Sequence, residues 1–149
     1  MTHSLTAIAR RLDFIRETEG PNRGAWVNCL QRFTGGIAGE AWCADFVSFV
    51  LDVAYHGKRM LPCSGSTKRI LDAATAKGWR VTIPAVDDLY FFVTEAGRPH
   101  HVGIVTGIDP VVGIAGNTSE DGLSSNGTGV FEHALTVSPA RIVFVRVPK

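Results

Sequence analysis

The most apolar helical segment of the chain is residues 41–54, AWCADFVSFVLDVA. Its large apolar side chains recur at helical spacing, which predicts a helix from Trp42 to Ala54 with one buried face. Glycines at positions 35, 36 and 39 precede the segment and give the chain a flexible approach to it. Cys43 therefore falls in the first turn of a helix that must pack against the rest of the core. The positions predicted to be buried are Phe46, Phe49, Val50 and Val53.

Three further helices are predicted on either side of this segment. Ser4 can cap the first of them, and Gly20 comes after it as a stop signal. The other two have apolar positions at helical spacing and end at turn residues or at glycine. The predicted spans are Leu5–Ile15, Ala25–Phe33 and Ser66–Lys77.

After Gly78 the helical spacing gives way to short runs rich in Val, Ile and Phe, which are typical of strands. Helices followed by strands predict an α+β domain, in which the N-terminal helices pack on a mainly antiparallel sheet. The Gly-, Ser- and Asn-rich segment Asn117–Gly129 is predicted to be a loop. The predicted strands are Trp79–Ile83, Leu89–Val93, Val102–Ile108, Val111–Ala115, Val130–Val137 and Ile142–Val147.

The length and charge of the chain limit the class of protein. A chain of 149 residues fits one domain with one core, and no linker or repeat divides residues 1–149. Fifteen basic residues stand against fourteen acidic ones, and this net charge of +1 argues against a nucleic-acid partner. No apolar run approaches the roughly 20 residues of a membrane helix. Residues 1–15 also lack the apolar block of a signal peptide.

The chain has three cysteines, so at least one thiol has no intramolecular bridge. Cys43 has the position of a nucleophile, because the free amides and partial positive charge of a helix N-terminus favour a thiolate and can hold an oxyanion. Cys29 lies within a predicted helix and is expected to be a buried packing residue. Cys63 has no assigned role, and a Cys29–Cys63 bridge remains open. No Cys-x-x-Cys or His-x-x-x-His spacing is present, so neither a metal site nor a cofactor is predicted.

A thiol nucleophile needs a base, and His101 is the candidate among the five histidines. It stands at the start of the predicted strand Val102–Ile108, where a rigid edge could hold it within reach of Cys43. His100 would point to the opposite face, and alternation alone does not decide which of the two faces the core. Asn117 is the candidate that orients the imidazole, since antiparallel strands would bring it back toward His101. Its alternative interpretation, as a turn residue, is equally well supported.

Taken in order, four blocks of sequence resemble the CHAP branch of the NlpC-like superfamily of cysteine- and histidine-dependent amidohydrolases and peptidases. The blocks are residues 42–48, WCADFVS; 88–92, DLYFF; 101–105, HVGIV; and 114–117, IAGN. An upstream Glu-Gly segment at residues 19–22 is similar to one in compact phage and bacterial members. The resemblance extends from about residue 19 to 117, and it depends on the cysteine block and the histidine block occurring together.

The resemblance implies a papain-like core and hydrolysis of an amide bond in bacterial peptidoglycan, as an N-acetylmuramoyl-L-alanine amidase or a peptide endopeptidase. It implies that Cys43 is the nucleophile, His101 the base and Asn117 the orienting group. A monomer is expected, made in the cytoplasm and acting on the cell wall after release, by phage lysis or another export route. Two alternatives stay open: a papain-like amidase or effector acting on a different amide, and a catalytically weak wall-binding or phage structural module.

The chain departs from the family pattern at two positions. Many CHAP members have a glutamate two positions before the asparagine, and here that position is Ala115. His101 would then have only a neutral orienting partner, which stabilises an imidazolium less than a carboxylate does. A Gly-Asp pair usually precedes the Phe-Phe strand, and here it is Asp87-Asp88. Asp88 is interpreted as structural or as shaping the site.

Overall fold

The computed structural model describes residues 2–149, in which four α-helices pack on a six-stranded antiparallel sheet. The predicted α+β class is therefore confirmed. No helix in residues 2–149 has the length and apolarity needed to cross a membrane. The helices are α1 Leu5–Arg10, α2 Ala25–Phe33, α3 Cys43–Ala54 and α4 Thr67–Ala76; the strands are β1 Arg80–Val81, β2 Leu89–Val93, β3 Pro99–Gly107, β4 Val112–Thr118, β5 Gly129–Ala134 and β6 Ile142–Val145.

The strand order in the sheet is β1-β6-β2-β3-β4-β5. Strands β2 to β5 follow one another as antiparallel neighbours, whereas β6 inserts between β1 and β2. Strand β2 therefore lies inside the sheet, and all five of its residues are buried. A strand buried on both faces is apolar throughout, which explains why residues 89–93 show no polar alternation.

The two faces of the sheet contribute to two separate apolar clusters. Leu89 and Phe91 pack into the main core together with the helices, while Tyr90 and Phe92 point to the opposite face. Val105 and Ala115 complete the second cluster, which is covered by partly buried side chains that include Leu135 and Phe144. Where the pairing of β2 to β4 is regular, alternation assigns each side chain to one face or the other.

Helix α1 is shorter than the sequence predicts. It is capped by Ser4 as expected, since the Ser4 hydroxyl accepts from the Ala7 amide, but it ends at Arg10 instead of Ile15. The chain turns because Ile15 is buried in the core and its carbonyl accepts from the Val130 amide at the start of β5.

Helix α3 begins at Cys43, one residue after the predicted start at Trp42, and its buried face is rotated from the predicted one. Val53 is 39% exposed, whereas Val47 and Leu51 are buried along with Phe46 and Val50. This helix contacts α1, α2 and α4 as well as strands β3 and β4. A helix surrounded by so many elements buries more than one stripe, so a single amphipathic face does not describe it.

Asp88 has a structural role. Its buried carboxylate accepts hydrogen bonds from Arg146 Nε and Nη2, each at 2.8 Å, and from the Ala85 amide at 2.7 Å. The ion pair joins the start of β2 to the segment that follows β6, and so ties the inserted strand to the centre of the sheet.

We expect Arg146→Ala to lower the free energy of unfolding by about 2 kcal/mol, because the buried Asp88 carboxylate then loses two charge-assisted hydrogen bonds. Urea denaturation followed by circular dichroism measures the change. Arg141→Ala is the control, since its ion pair with the 94% exposed Glu95 should contribute less than about 0.5 kcal/mol. Equal losses in the two variants would contradict the role given to Asp88.

Candidate active site

Cys43 is the first residue of α3 and is held there by the anchoring of Trp42. The Trp42 side chain is fully buried, and its Nε1 donates to Glu17 Oε1 at 3.0 Å. Glu17 is itself held by its amide, which donates to the Thr128 carbonyl at 2.8 Å. The helix N-terminus is thus fixed by the indole and not by a capping side chain, because Trp42 makes no side-chain cap.

Strand β4 accommodates this helix end through a glycine. A β-carbon at Gly116 would lie 2.7 Å from Trp42 Cζ3 and 2.9 Å from Phe46 Cβ, closer than apolar atoms normally approach. Ile104 of β3 and Ile114 of β4 are the last paired residues of these two strands on the side toward His101. The start of α3 therefore packs where the two strands stop pairing, and Cys43 lies near the Val102 amide of β3.

The Cys43 thiol is buried, with 5% of the residue exposed. Burial raises its pKa to about 11, although the amides of Val102, Ala44 and Cys43 itself oppose this. The sequence predicts a lowered pKa from the helix N-terminus. The amide groups are present as predicted, but the loss of hydration outweighs them, so the thiol is protonated in this state.

His101 lies on β3 directly opposite Phe92 of β2, on the sheet face of the second apolar cluster. Its ring stacks on Phe92 with 5.4 Å between centroids, and both of its nitrogens are buried without a hydrogen-bond partner. Burial lowers the His101 pKa to about 3, and repulsion from His100 and His133 adds to the effect. The imidazole is therefore neutral. His100 is exposed, so His101 is the buried one of the two histidines, a choice that the sequence leaves open.

Asn117 lies within β4, at an irregularity in its pairing with β5. Its φ of +54° is the left-handed conformation that asparagine tolerates better than most residues. Both polar atoms of its side chain are buried and unpartnered. Pairing between β3 and β4 ends at Ile104 and Ile114, three residues short of His101 and of Asn117. Asn117 is thus a buried strand residue, not part of the exposed loop.

No hydrogen bond joins the three predicted site side chains in the described part of the chain. Cys43 packs in the main core near the Val102 amide, whereas the His101 ring stacks on Phe92 of the second cluster. The polar side-chain atoms of His101 and Asn117 have no hydrogen-bond partner among residues 2–149. General-base catalysis needs the thiol and the imidazole within hydrogen-bond reach, and such contacts often tighten only when substrate binds.

Sequence reasoning missed Tyr90, whose hydroxyl is also buried and without a partner. The residue lies on the same face as His101, with 6.2 Å between the ring centroids. A tyrosine in an otherwise apolar strand was the available signal, since a buried phenol normally needs a hydrogen-bond partner. Ala115 lies in the same apolar cluster as Tyr90, so a glutamate there would be surrounded by aromatic and aliphatic groups.

The other two cysteines are outside the site, and all three thiols are free. Cys29 is exposed, contrary to the predicted burial, because α2 buries the stripe formed by Val27, Leu30 and Gln31 instead. Cys63 is half-buried with its sulfur 3.9 Å from the Phe33 carbonyl oxygen. The Cys29–Cys63 bridge that the sequence leaves open is therefore not formed.

In residues 2–149, no group of three or more His, Cys, Asp and Glu side chains is arranged to hold a metal ion. No protein-family model matches the chain, and no curated protein matches its sequence. The functional assignment therefore depends on the chemistry of Cys43 and its neighbours.

Proposed function

We propose that this protein is a cysteine amidohydrolase with a papain-like core, and that it cleaves an amide bond of bacterial peptidoglycan. One observation carries the proposal: a buried cysteine starts a helix that packs on an antiparallel sheet at the strand bearing an unpartnered histidine. The resemblance of four sequence blocks to the CHAP branch supports the substrate class.

In the proposed reaction, the Cys43 sulfur attacks the amide carbon while its proton passes to His101. The amides of Cys43 and Ala44 lie near the sulfur and can donate to the oxyanion of the tetrahedral intermediate. The intermediate collapses to a thioester, and the leaving amine takes the proton from His101. Water then attacks the thioester with His101 again as base, which releases the acid and restores the thiol.

Entry of substrate would change the electrostatics of the site in the required direction. Burial is the largest cause of both the raised Cys43 pKa and the lowered His101 pKa. Water or polar substrate groups in contact with the two side chains would restore part of the lost solvation. The unpartnered atoms of His101 and Asn117 offer donors and acceptors for such contacts, since buried polar groups are rarely left unpaired.

Mass analysis of purified peptidoglycan tests both the reaction and the substrate class. After incubation with the protein, we expect fragments with a new amine and a new carboxyl end, either at the sugar–peptide junction or within the stem peptide. Their masses identify the bond. Cys43→Ala is the matched control and should leave the wall intact. Intact wall with the wild type as well would reject peptidoglycan as substrate and favour the amidase that acts on another amide.

A wall-binding module without hydrolytic activity is the second candidate. It is favoured by the neutral, nearly inaccessible thiol of Cys43 and by the absence of hydrogen bonds among the three site side chains of the described chain. Co-sedimentation with walls, without release of any fragment, is the outcome that this candidate requires.

A further inference from the structure

His133 of β5 connects the sheet to the loop of residues 119–128, which starts directly after the last residue of β4, Thr118. The Nε2 atom of His133 lies 3.3 Å from Thr118 Oγ1, and its Nδ1 atom lies 3.2 Å from the Ala134 carbonyl oxygen. Both ring nitrogens therefore face an oxygen, and the number of protons on the ring decides how many of these contacts are hydrogen bonds.

Both of these oxygens can only accept from the ring. The Thr118 hydroxyl donates its single proton to the Ser124 carbonyl at 2.9 Å, and the Ala134 carbonyl has no proton to give. A neutral imidazole has one N–H, so in either tautomer the lone pair of one nitrogen would face the lone pair of an oxygen. Only the doubly protonated, positively charged ring of His133 makes both hydrogen bonds.

The 119–128 loop packs directly on the His133 ring. A β-carbon at Gly122 would lie 2.3 Å from His133 Nδ1, and the φ of Gly122 is +73°, so only glycine fits at this contact. The neighbouring Asp121 carboxylate accepts from Ser119 Oγ at 2.7 Å and from the Leu123 amide at 3.0 Å. These two hydrogen bonds lower the pKa of Asp121, and the positive charge of His133 adds to the effect. The packed loop thus brings an ionised carboxylate near the ring.

The other charged and titratable groups around His133 come from three parts of the chain. His101 of β3 interacts with it, but burial lowers the His101 pKa to about 3, so that ring is neutral and exerts no repulsion. Arg16 lies over the ring of the residue two positions before His133 and opposes its protonation. Glu132, the preceding residue of β5, points to the opposite face of the sheet. Asp121 is therefore the group of the loop that favours the charged ring.

We propose that protonation of His133 controls the 119–128 loop: the doubly protonated ring holds the loop against β5, and loss of one ring proton releases it. Imidazoles change charge between about pH 5 and pH 8. The two hydrogen bonds exist only while the loop is packed, so loop closure and protonation favour each other, and the loop is released as the pH rises. This inference goes beyond the proposed function, because the loop would respond to pH whatever the protein acts on.

Release of the loop would also affect the candidate site. The Gly127 amide donates to the Asn117 carbonyl at 2.9 Å, and the Thr128 amide donates to the Thr118 carbonyl at 3.0 Å. Both hydrogen bonds join the far end of the loop to the end of β4. The backbone at Asn117 is therefore held in part by the same loop that His133 holds.

Hydrogen–deuterium exchange followed by mass spectrometry tests the proposal at pH 5 and pH 8. The protection of residues 119–128 is expressed as the ratio of the intrinsic to the observed exchange rate at each pH, which removes the pH dependence of the chemistry. We expect about tenfold less protection at pH 8, the size of effect of one charge-assisted hydrogen bond. Strand β2, residues 89–93, is the internal reference and should be protected equally at both pH values.

Two variants assign the effect to His133. His133→Gln keeps a donor but cannot gain a charge, so the loop should be equally and weakly protected at both pH values. Thr118→Val removes the oxygen that Nε2–H donates to, and should reduce the difference between the two pH values. His100→Gln is the matched control, since this histidine is exposed on β3, and it should retain the tenfold change.

Equal protection of the loop at pH 5 and pH 8 in the wild type would overturn the proposal. A tenfold change that persists in His133→Gln would also overturn it, because another group would then control the loop. None of these measurements uses peptidoglycan, so their outcome is independent of whether the protein hydrolyses walls.

Discussion

His101→Ala should reduce the rate of wall clearing by about 10²- to 10⁴-fold, and Cys43→Ala should reduce it at least as much. The first variant removes the group that accepts the thiol proton, and the second removes the nucleophile, so neither can form the thioester at a useful rate. The loss of turbidity of purified walls, measured at equal protein concentration, gives the rates.

Cys29→Ala and His100→Ala are the matched controls for these two variants. Each replaces the same type of residue, but Cys29 is exposed on α2, and His100 is the exposed neighbour of His101. Both should clear walls within about twofold of the wild type, since surface substitutions away from a site have small effects. Equal clearing by the wild type and Cys43→Ala would reject cysteine catalysis. A large loss of clearing in His100→Ala would show that His100, and not His101, is the base.

Gly116→Ala should lower both the stability and the activity of the protein, because the added methyl group would displace the start of α3. Its added methyl group would lie 2.7 Å from Trp42 Cζ3 and 2.9 Å from Phe46 Cβ, and both of those side chains are fully buried. Overpacking of this kind costs about 1 to 3 kcal/mol, and it can be relieved only if the helix start moves away from β4. A shift of about 1 Å in the nucleophile would reduce catalysis by about 10²-fold.

Gly107→Ala is the control for an added methyl group in the neighbouring strand. A β-carbon there would be 3.4 Å from Val112 Cβ, which is ordinary contact. We expect this variant to unfold near the wild-type urea concentration and to clear walls normally. If Gly116→Ala behaves in the same way, the contact between β4 and Trp42 does not position the cysteine.

The helices and strands predicted from the sequence agree best with the structure where the local residue pattern and the tertiary packing favour the same element. Residues 25–33 and 89–93 form the helix and the strand that the pattern predicts, with the same bounds. Helix α1 is overextended in the prediction because the spacing of Leu12 and Ile15 fits a helix equally well, while the contact of Ile15 with β5 decides the turn. Long-range contacts of that kind leave no periodic pattern in a single sequence.

The candidate site, like the fold, could be predicted only in part from the sequence. Alternation separates His100 from His101 but does not identify the buried one, which is decided by the pairing of His101 with Phe92. The direction of the Cys43 pKa is wrong in the prediction because a helix N-terminus is visible in the sequence, whereas the degree of burial is not. Tyr90 is missed because its partners in space, Gly103 and Gly113, come from two other strands.

The insertion of β6 between β1 and β2 has a consequence for biosynthesis. Strand β6 is the last strand along the chain, yet it pairs with β2 near the middle of the sheet. While a ribosome still holds residues 142–145 in its exit tunnel, β2 has one unpaired edge and Asp88 lacks Arg146. The helices and β2 to β5 can associate earlier, but the complete six-stranded sheet can form only after β6 has emerged. The proposed activity would therefore appear only after residues 142–145 have emerged.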